Sequence, residues 1–353
     1  MSGTPLSDYL NRPGANTGDY CGAETVLSFG NPGAEFAALV NSGGVYDLGW
    51  RAQFLITGRD RVRWLNGMVS NNVRDLAPGS GNYNFLLSAQ GHILGDLWIY
   101  NRGEDFVATT ERAQLEPILK ALRKYIIMDQ VELTVPEHTS IGVQGPRAGE
   151  VLQRAEFQGA FPEAMSLVEI NWRSRALSLA QRAGGRLGTY EIWMAPEEAP
   201  AIWDALVTSG AVPVGAEAIE MFRVAAGLPR VGVDIGDREL PQETAQTQAL
   251  HFGKGCYIGQ EIVERIRARG NVHRTFTGFK IDGALPAPGT KLQVEGKDAG
   301  EITSARRIPQ PEGQDWITLA LGYVRREHAA PGTRLQAGDA IATVSSLPFH
   351  DIL

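Results

Sequence analysis

The sequence predicts an α+β protein made of two similar antiparallel modules followed by a small β-barrel. Strands and helices occur in the same order twice, at an offset of roughly 85 residues, which indicates duplicated and interleaved modules. Strands that come in pairs between the helices favour antiparallel rather than parallel sheets. After Gly270 short strand-like runs alternate with Pro-Gly turns, a texture typical of a barrel or sandwich.

The first module is predicted to span about residues 48–138. Its strands are four short apolar runs: 53–57, 83–87, 94–100 and 106–109. Gly58 ends the first run, and a helix containing Trp64 and Leu65 follows it. The module closes with a helix over 114–125, whose inner face has four apolar residues at helical spacing: Leu115, Ile118, Leu119 and Leu122.

The second module is predicted to span 139–270 and to repeat this order. Its strands are three runs: 140–144, 176–181 and 189–194, the last two on either side of Gly184-Gly185. Pro146 stands in the first turn of a helix, a position that proline favours. A further helix covers 199–207, and Gly270 ends the last helix.

The two ends of the chain differ from these modules. Residues 1–23 are polar and rich in Gly, Asn and Pro, so a flexible N-terminal arm is predicted before a folded region at 24–270. Residues 271–353 form the predicted barrel, and its boundary falls near Asn271. Its strands are four short runs: 276–281, 291–294, 317–322 and 342–344.

Composition excludes several classes of protein. A net charge of −7 argues against a general nucleic-acid binder. Two cysteines without a Cys-x-x-Cys pair, and six scattered histidines, predict neither a disulfide framework nor a metal site. No apolar run has the length of a membrane helix, and the N-terminus lacks the features of a signal peptide. We therefore expect a cytoplasmic protein.

Residues 254–261 read Lys-Gly-Cys-Tyr-Ile-Gly-Gln-Glu and precede an amphipathic helix. Glycines on both sides of Cys256 leave its sulfur little steric cover. A helix start and the ammonium group of Lys254 would both favour the thiolate, so Cys256 and Lys254 are the candidate catalytic residues. The alternative is that Cys256 is a small buried apolar residue.

This octapeptide resembles the signature of the folate-binding YgfZ family, which is related to the glycine-cleavage T-protein and helps to assemble or repair iron–sulfur enzymes. Further segments match in the expected order: 46–48, 144–146, 190–192, 223–229, 303–305 and 321–327. The resemblance covers the chain from about Glu24 onward. It implies a T-protein-like, three-lobed fold that accepts tetrahydrofolate or a one-carbon derivative, with iron–sulfur client proteins as partners. A self-contained chain of this kind is expected to be a monomer.

The resemblance also implies four cofactor-binding residues: Tyr83, Asp96, Glu191 and Arg223. Glu191 matches the glutamate that binds the pterin, and strand alternation points it away from Tyr190 and Ile192. A carboxylate can accept two adjacent N–H donors from the pterin edge, while aromatic side chains cover the ring. From the residues alone, an exposed strand glutamate is the preferred interpretation of Glu191.

One departure from the T-protein pattern concerns Asp96. T-proteins carry two adjacent acidic residues there, whereas this chain has Gly95 in the first place. The T-protein asparagine after the following strand is also replaced, with Thr109 and Thr110 in its region. An aminomethyl transferase is therefore the alternative rather than the first hypothesis.

A cluster of basic residues follows the octapeptide: Arg265, Arg267, Arg269, His273 and Arg274. These side chains could receive the glutamate tail of folate, or contact RNA or an acidic partner. A solvated surface is the simpler interpretation. The third hypothesis is accordingly a non-catalytic RNA or protein adaptor that uses this cluster.

Overall fold

The computed structural model describes residues 3–182, 187–270, 272–310 and 315–353, without the side chain of Arg269. In these ranges the helices are α1 (Ser7–Leu10), α2 (Pro32–Asn41), α3 (Arg61–Met68), α4 (Arg112–Arg123), α5 (Ala148–Arg154), α6 (Ala199–Thr208), α7 (Ala216–Ala225) and α8 (Gln260–Arg269). The strands of the first two-thirds of the chain are β1 (Asn16–Tyr20), β2 (Ala23–Ser28), β3 (Gly44–Asp47), β4 (Arg51–Thr57), β5 (Gly81–Leu87), β6 (Ile93–Asn101), β7 (Phe106–Glu111), β8 (Glu132–Thr134), β9 (Thr139–Gly145), β10 (Phe157–Gln158), β11 (Ser166–Trp172), β12 (Arg175–Gln181), β13 (Gly188–Met194) and β14 (Val212–Pro213). The remaining strands are β15 (Arg274–Asp282), β16 (Lys291–Val294), β17 (Lys297–Pro309), β18 (Trp316–Arg325), β19 (Arg334–Ala337) and β20 (Ala340–Ser345).

The chain divides into two compact units. The first contains Met1–Asn84 and Asp96–Ile219, and the second contains Phe85–Gly95 and Glu220–Leu353. The tip of the β5–β6 hairpin thus belongs to the second unit. The predicted boundary residue Asn271 and the predicted turn at Gly184-Gly185 lie outside the described residues, and the module limits remain predictions.

The first unit contains the two-stranded sheet β1-β2 and two large sheets. One has the order β10-β11-β12-β13-β9-β3-β14, with only its β3–β14 pair parallel, and the other has the order β5-β6-β7-β4-β8. Strand β3 precedes the first predicted module yet pairs with β9 of the second, so the modules are interleaved as predicted. Tyr100 and Val107 of one sheet pack with Leu167, Ala180 and Trp193 of the other.

The prediction of a flexible N-terminal arm is wrong. Leu6 and Leu10 are completely buried and belong to the main apolar core of the first unit. The side chains of Thr4 and Thr25 both donate hydrogen bonds to the buried carboxylate of Asp47. The overall polarity of the segment concealed a short helix, α1, in which the N-cap residue Leu6 and the last residue Leu10, four positions apart, are both buried.

The predicted β-domain is a closed barrel with the strand order β15-β18-β17-β16-β19-β20. Its interior is filled by alternate residues of each strand, among them Phe279, Ala305 and Ala320, which lie in one row across β15, β18 and β17. Because the barrel is closed, each of its six described strands pairs with a neighbour on both sides, and none of them has an open edge. The sequence prediction of a small barrel, rather than a sandwich, is confirmed.

Candidate functional site

Glu191 lies in the middle of β13 and is 2% exposed. Its register partners are Gly142 on β9 and Ala180 on β12, two small residues that leave room above the sheet. The ring of Tyr46 covers Gly142, and a side chain there would collide with it. The neighbouring Ile192 packs into the apolar core on the opposite face. Strand alternation therefore turns Glu191 toward the space between the two sheets.

Two arginines surround the Glu191 carboxylate. Arg182 donates from Nε and Nη2 to Oε1, and Nε of Arg51 lies 3.9 Å from the same oxygen. The indole of Trp193 donates to Oε2 at 3.3 Å. Burial raises the pKa of Glu191, but Arg182 and then Arg51 outweigh it, so the pKa is lower than usual and the group is ionised.

Two buried polar atoms beside this carboxylate have no hydrogen-bond partner among the described residues. They are Nε of Arg51 and the hydroxyl of Tyr100. Arg51 uses Nη2 on the hydroxyl of Thr109, at 2.7 Å, and its side chain is only 7% exposed. Because a buried polar group without a partner costs free energy, such atoms mark a place where a polar ligand would be stabilised.

Tyr83 and Asp96 are in direct contact. The Tyr83 hydroxyl donates to Oδ2 of Asp96 at 2.8 Å, and Gln114 donates to Oδ1 at 2.9 Å. The backbone N–H of Asp96 donates in return to Gln114. Burial, followed by the negative charge of Asp96, raises the pKa of Tyr83 well above its usual value, so the phenol stays protonated as a donor.

Aromatic rings join these two groups of polar residues. The ring of Tyr83 lies 4.7 Å from that of Trp98, and the guanidinium of Arg182 stands 5.5 Å from the centre of the same Trp98 ring. Tyr100 meets Trp193 edge to face at 5.5 Å. We call the whole set the Glu191 cluster: Arg51, Tyr83, Asp96, Trp98, Tyr100, Gln114, Arg182, Glu191 and Trp193.

Three members of the Glu191 cluster were predicted from the sequence: Tyr83, Asp96 and Glu191. Arg51 and Arg182 were not predicted, since an arginine next to a strand end gives no sign of burial. A signal did exist for Trp98 and Tyr100, which alternate on β6 with Asp96 and so share its face. Gln114, a polar residue on the inner side of α4, could also have been noticed.

Arg223 lies in the second unit, where its side chain is held by a buried network of hydrogen bonds. Its guanidinium donates to both carboxylate oxygens of Glu220 at 2.7 and 3.0 Å, to Asp234 and the Leu228 carbonyl at 2.6 Å, and to Ser304 at 2.7 Å. An arginine has five N–H donors, and this set occupies them all. The role of Arg223 in folate binding stays a prediction.

Cys256 is exposed, so the alternative of a buried apolar cysteine is wrong. The expectation that it starts a helix is also wrong, since α8 begins at Gln260 after Gly259 in a left-handed conformation. A helix dipole acts mainly within the first turn, which excludes Cys256 from its effect. Lys254 is nearly buried, and its ammonium group lies 5.0 Å from the centre of the Tyr257 ring.

The basic cluster after the octapeptide is largely neutralised. Arg265 pairs with Glu261 at 2.6 Å and Arg267 with Glu264 at 3.5 Å. Arg274 donates to Glu239 at 2.9 Å and to Glu243 at 3.3 Å. Because these cations already have carboxylate partners, the RNA-adaptor hypothesis loses its main support.

The residues that the structure describes contain no group of three or more His, Cys, Asp or Glu side chains that could hold a metal ion. Their helices are all too short or too polar to span a bilayer.

The sequence of this chain matches two known domain families. Residues 6–254 match the GCVT N-terminal domain, and residues 274–349 match the CAF17 C-terminal beta-barrel domain. The chain belongs to the family defined by the GCVT N-terminal domain, and its fold is the predicted T-protein-like, folate-binding one.

Individual relatives agree with this assignment over almost the whole chain. The chain is 27% identical over 361 residues to an aminomethyltransferase of Geobacillus kaustophilus, covering 98% of each protein. It is 26% identical over 366 residues to an aminomethyltransferase of Thermus thermophilus, covering 99% of each. The crystal structure of glycine cleavage system aminomethyltransferase T from Bartonella henselae superposes with a TM-score of 0.90 at 23% identity, covering 100% of this chain and 98% of the other, and so has the same fold.

Proposed function

We propose that this protein binds tetrahydrofolate, or a one-carbon derivative of it, in the Glu191 cluster and supports iron–sulfur cluster assembly or repair through the exposed Cys256. The observation that carries the folate proposal is a buried, ionised carboxylate among aromatic rings, with unpartnered polar atoms beside it. The octapeptide around Cys256 supports the iron–sulfur part.

The chemistry of the cluster fits a reduced pterin. The pyrimidine edge of a pterin presents adjacent N–H donors, the same pattern as the guanidinium that Arg182 now directs at Glu191. On binding, the pterin edge would replace Arg182 as the hydrogen-bond donor to Glu191. The displaced guanidinium of Arg182 would remain stacked on the Trp98 ring, which it already overlies. Nε of Arg51 and the hydroxyl of Tyr100 would then serve the remaining polar atoms of the ring.

When bound, tetrahydrofolate would accept a one-carbon unit on its nitrogens, and a one-carbon derivative would donate one. The chain's own contribution is to orient the pterin through Glu191, to cover its faces with Trp98 and Trp193, and to fix one carboxylate beside it. Tyr83 and Gln114 each donate to one oxygen of Asp96, so this carboxylate is held in a single orientation. A carboxylate fixed in this way can hold a cationic group or a water in place.

Calorimetric titration with tetrahydrofolate tests the folate proposal. Glu191→Gln should weaken binding by about 10- to 100-fold, because it replaces a charged acceptor by a neutral one that presents an N–H toward the ligand. Glu169→Gln is the matched control, since Glu169 is an exposed glutamate on β11 of the same sheet. Equal affinities of the wild type and the Glu191→Gln variant would refute the proposed site.

The cysteine is tested separately from folate binding. Cys256→Ala should abolish restoration of iron–sulfur enzyme activity in cells that lack the protein, while its tetrahydrofolate affinity stays unchanged. Cys21→Ala is the control, because Cys21 is the other cysteine of the chain. Full activity of the Cys256→Ala variant would exclude a reactive thiol and leave folate binding standing.

The second candidate is an aminomethyl transferase. Relatives named as aminomethyltransferases cover nearly the full chain, which favours this activity. Gly95 in place of the first of two adjacent acids disfavours it. The test is formation of methylenetetrahydrofolate from an aminomethyl donor: turnover that is lost in Asp96→Asn would establish the transferase, and no turnover in the wild type would reject it.

A further inference from the structure

The barrel contains a cavity that is distinct from the Glu191 cluster. It has a volume of about 540 Å³, within the usual range for small-molecule sites. Its lining comes from the ends of β15, β17 and β18 and the segment after β15: Ile281, Gly283, Ala284, Leu285, Arg307, Trp316, Ile317 and Thr318. All of these residues belong to the second compact unit.

The strand register places this cavity at one mouth of the barrel. Ile281, Thr318 and Arg307 pair directly across β15, β18 and β17, two residues beyond the interior row of Phe279, Ala320 and Ala305. Since side chains alternate along a strand, this second row also faces the interior. Two residues before Thr318 on β18, the next position that faces inward is occupied by Trp316, which pairs with Pro309 on β17.

The lining combines one charged side chain with large apolar ones. Arg307 is the only charged residue of the described lining, and its side chain makes no ion pair or hydrogen bond with any described residue. Around it lie the large apolar side chains of Leu285, 51% exposed, and Trp316, 43% exposed. Arg307 is itself exposed at the cavity, and an arginine offers a paired-donor fork that suits a carboxylate.

We propose that the barrel mouth binds a small carboxylate with an aromatic or branched apolar body. The guanidinium of Arg307 would receive the carboxylate, while the indole of Trp316 and the side chain of Leu285 would cover the apolar body. Neither the two domain matches nor the proposed folate site accounts for these groups. A neutral apolar ligand would leave Arg307 unpaired, and a purely polar anion would leave Trp316 and Leu285 in water, so the two halves of the site select a ligand that has both characters.

The test uses a pair of probes that differ only in charge, 4-phenylbutyrate and 4-phenyl-1-butanol, titrated by calorimetry. Wild-type protein should bind the carboxylate at least about tenfold more tightly than the alcohol. Arg307→Gln should abolish this preference, and Trp316→Ala should weaken the binding of both probes. Arg334→Gln is the matched control, because Arg334 is an exposed arginine on β19 that points away from the interior.

The binding position is read from the indole N–H signal of Trp316 in nitrogen–proton spectra, identified by its absence in Trp316→Phe. It should shift with 4-phenylbutyrate in both the wild type and Glu191→Ala, which excludes binding at the Glu191 cluster. Equal affinity of the wild type for the two probes would overturn the proposal. So would an Arg307→Gln variant that keeps the preference, or binding that leaves the Trp316 signal unmoved.

Discussion

Replacing Arg223 by methionine tests whether this residue is structural. Glu220, Asp234 and Ser304 are its partners, each no more than 3% exposed. Burial raises the pKa of Glu220, but Arg223, followed by Arg230 and Arg306, more than offsets this and lowers it from 4.5 to about 2. Since a tenfold change in proton affinity is worth about 1.4 kcal/mol, the ionised form of this network contributes about 3 kcal/mol to stability.

Removing Arg223 leaves two buried carboxylates without their main cation. The expected loss in the free energy of unfolding is about 3–5 kcal/mol. Urea denaturation measures this loss of stability. Faster hydrogen exchange of the α7 amides would show that the loss is located around Arg223. Arg306→Met is the control: Arg306 is 43% exposed and 3.7 Å from Glu220, so its removal should cost less than about 1 kcal/mol.

The pH dependence gives an independent check. Because the folded-state pKa of Glu220 is depressed, its contribution is complete above pH 4.5 and is lost as the pH falls toward about 2. Arg223→Met should flatten this acid-induced decline. A loss no greater than that of Arg306→Met, with an unchanged pH profile, would refute the structural role. Folded Arg223→Met protein should still bind tetrahydrofolate, whereas a direct ligand contact would predict weakened binding.

Three further predictions concern stability. Gly259→Ala should lower the free energy of unfolding by about 1–3 kcal/mol in a urea titration, since Gly259 has φ +81° and a Cβ there would lie 2.6 Å from a backbone carbonyl oxygen. Gly255→Ala is the control in the same titration, because a Cβ at Gly255 would meet no described heavy atom within 4 Å. Leu6→Ala should cost about 2–5 kcal/mol in that titration, because Leu6 is fully buried, and a negligible loss would restore the flexible arm. Tyr83→Phe should cost about 1–3 kcal/mol by removing a hydrogen bond to Asp96, and a thermal melting point equal to that of the wild type would contradict it.

The sequence by itself determined the architecture and the local elements. Hydrophobic periodicity and turn residues predicted the strands around Glu191, the helix that became α4 and the barrel after residue 270, because these signals act over a few neighbouring residues. The motif resemblance predicted the folate-binding fold and brought Tyr83, Asp96 and Glu191 forward as candidates.

Only the tertiary structure decided how those candidates are used. Arg51, on β4, is far in the chain from Arg182 and Glu191, and no local pattern reveals that the three side chains share one buried position. Likewise, the sequence around Arg223 does not indicate that Asp234 and Ser304 accept hydrogen bonds from its guanidinium. The polar sequence around Leu6 does not indicate that this leucine is buried. Burial and charge pairing depend on which residues the fold brings together, and the free energy of an arginine or a carboxylate depends on those partners far more than on its sequence neighbours.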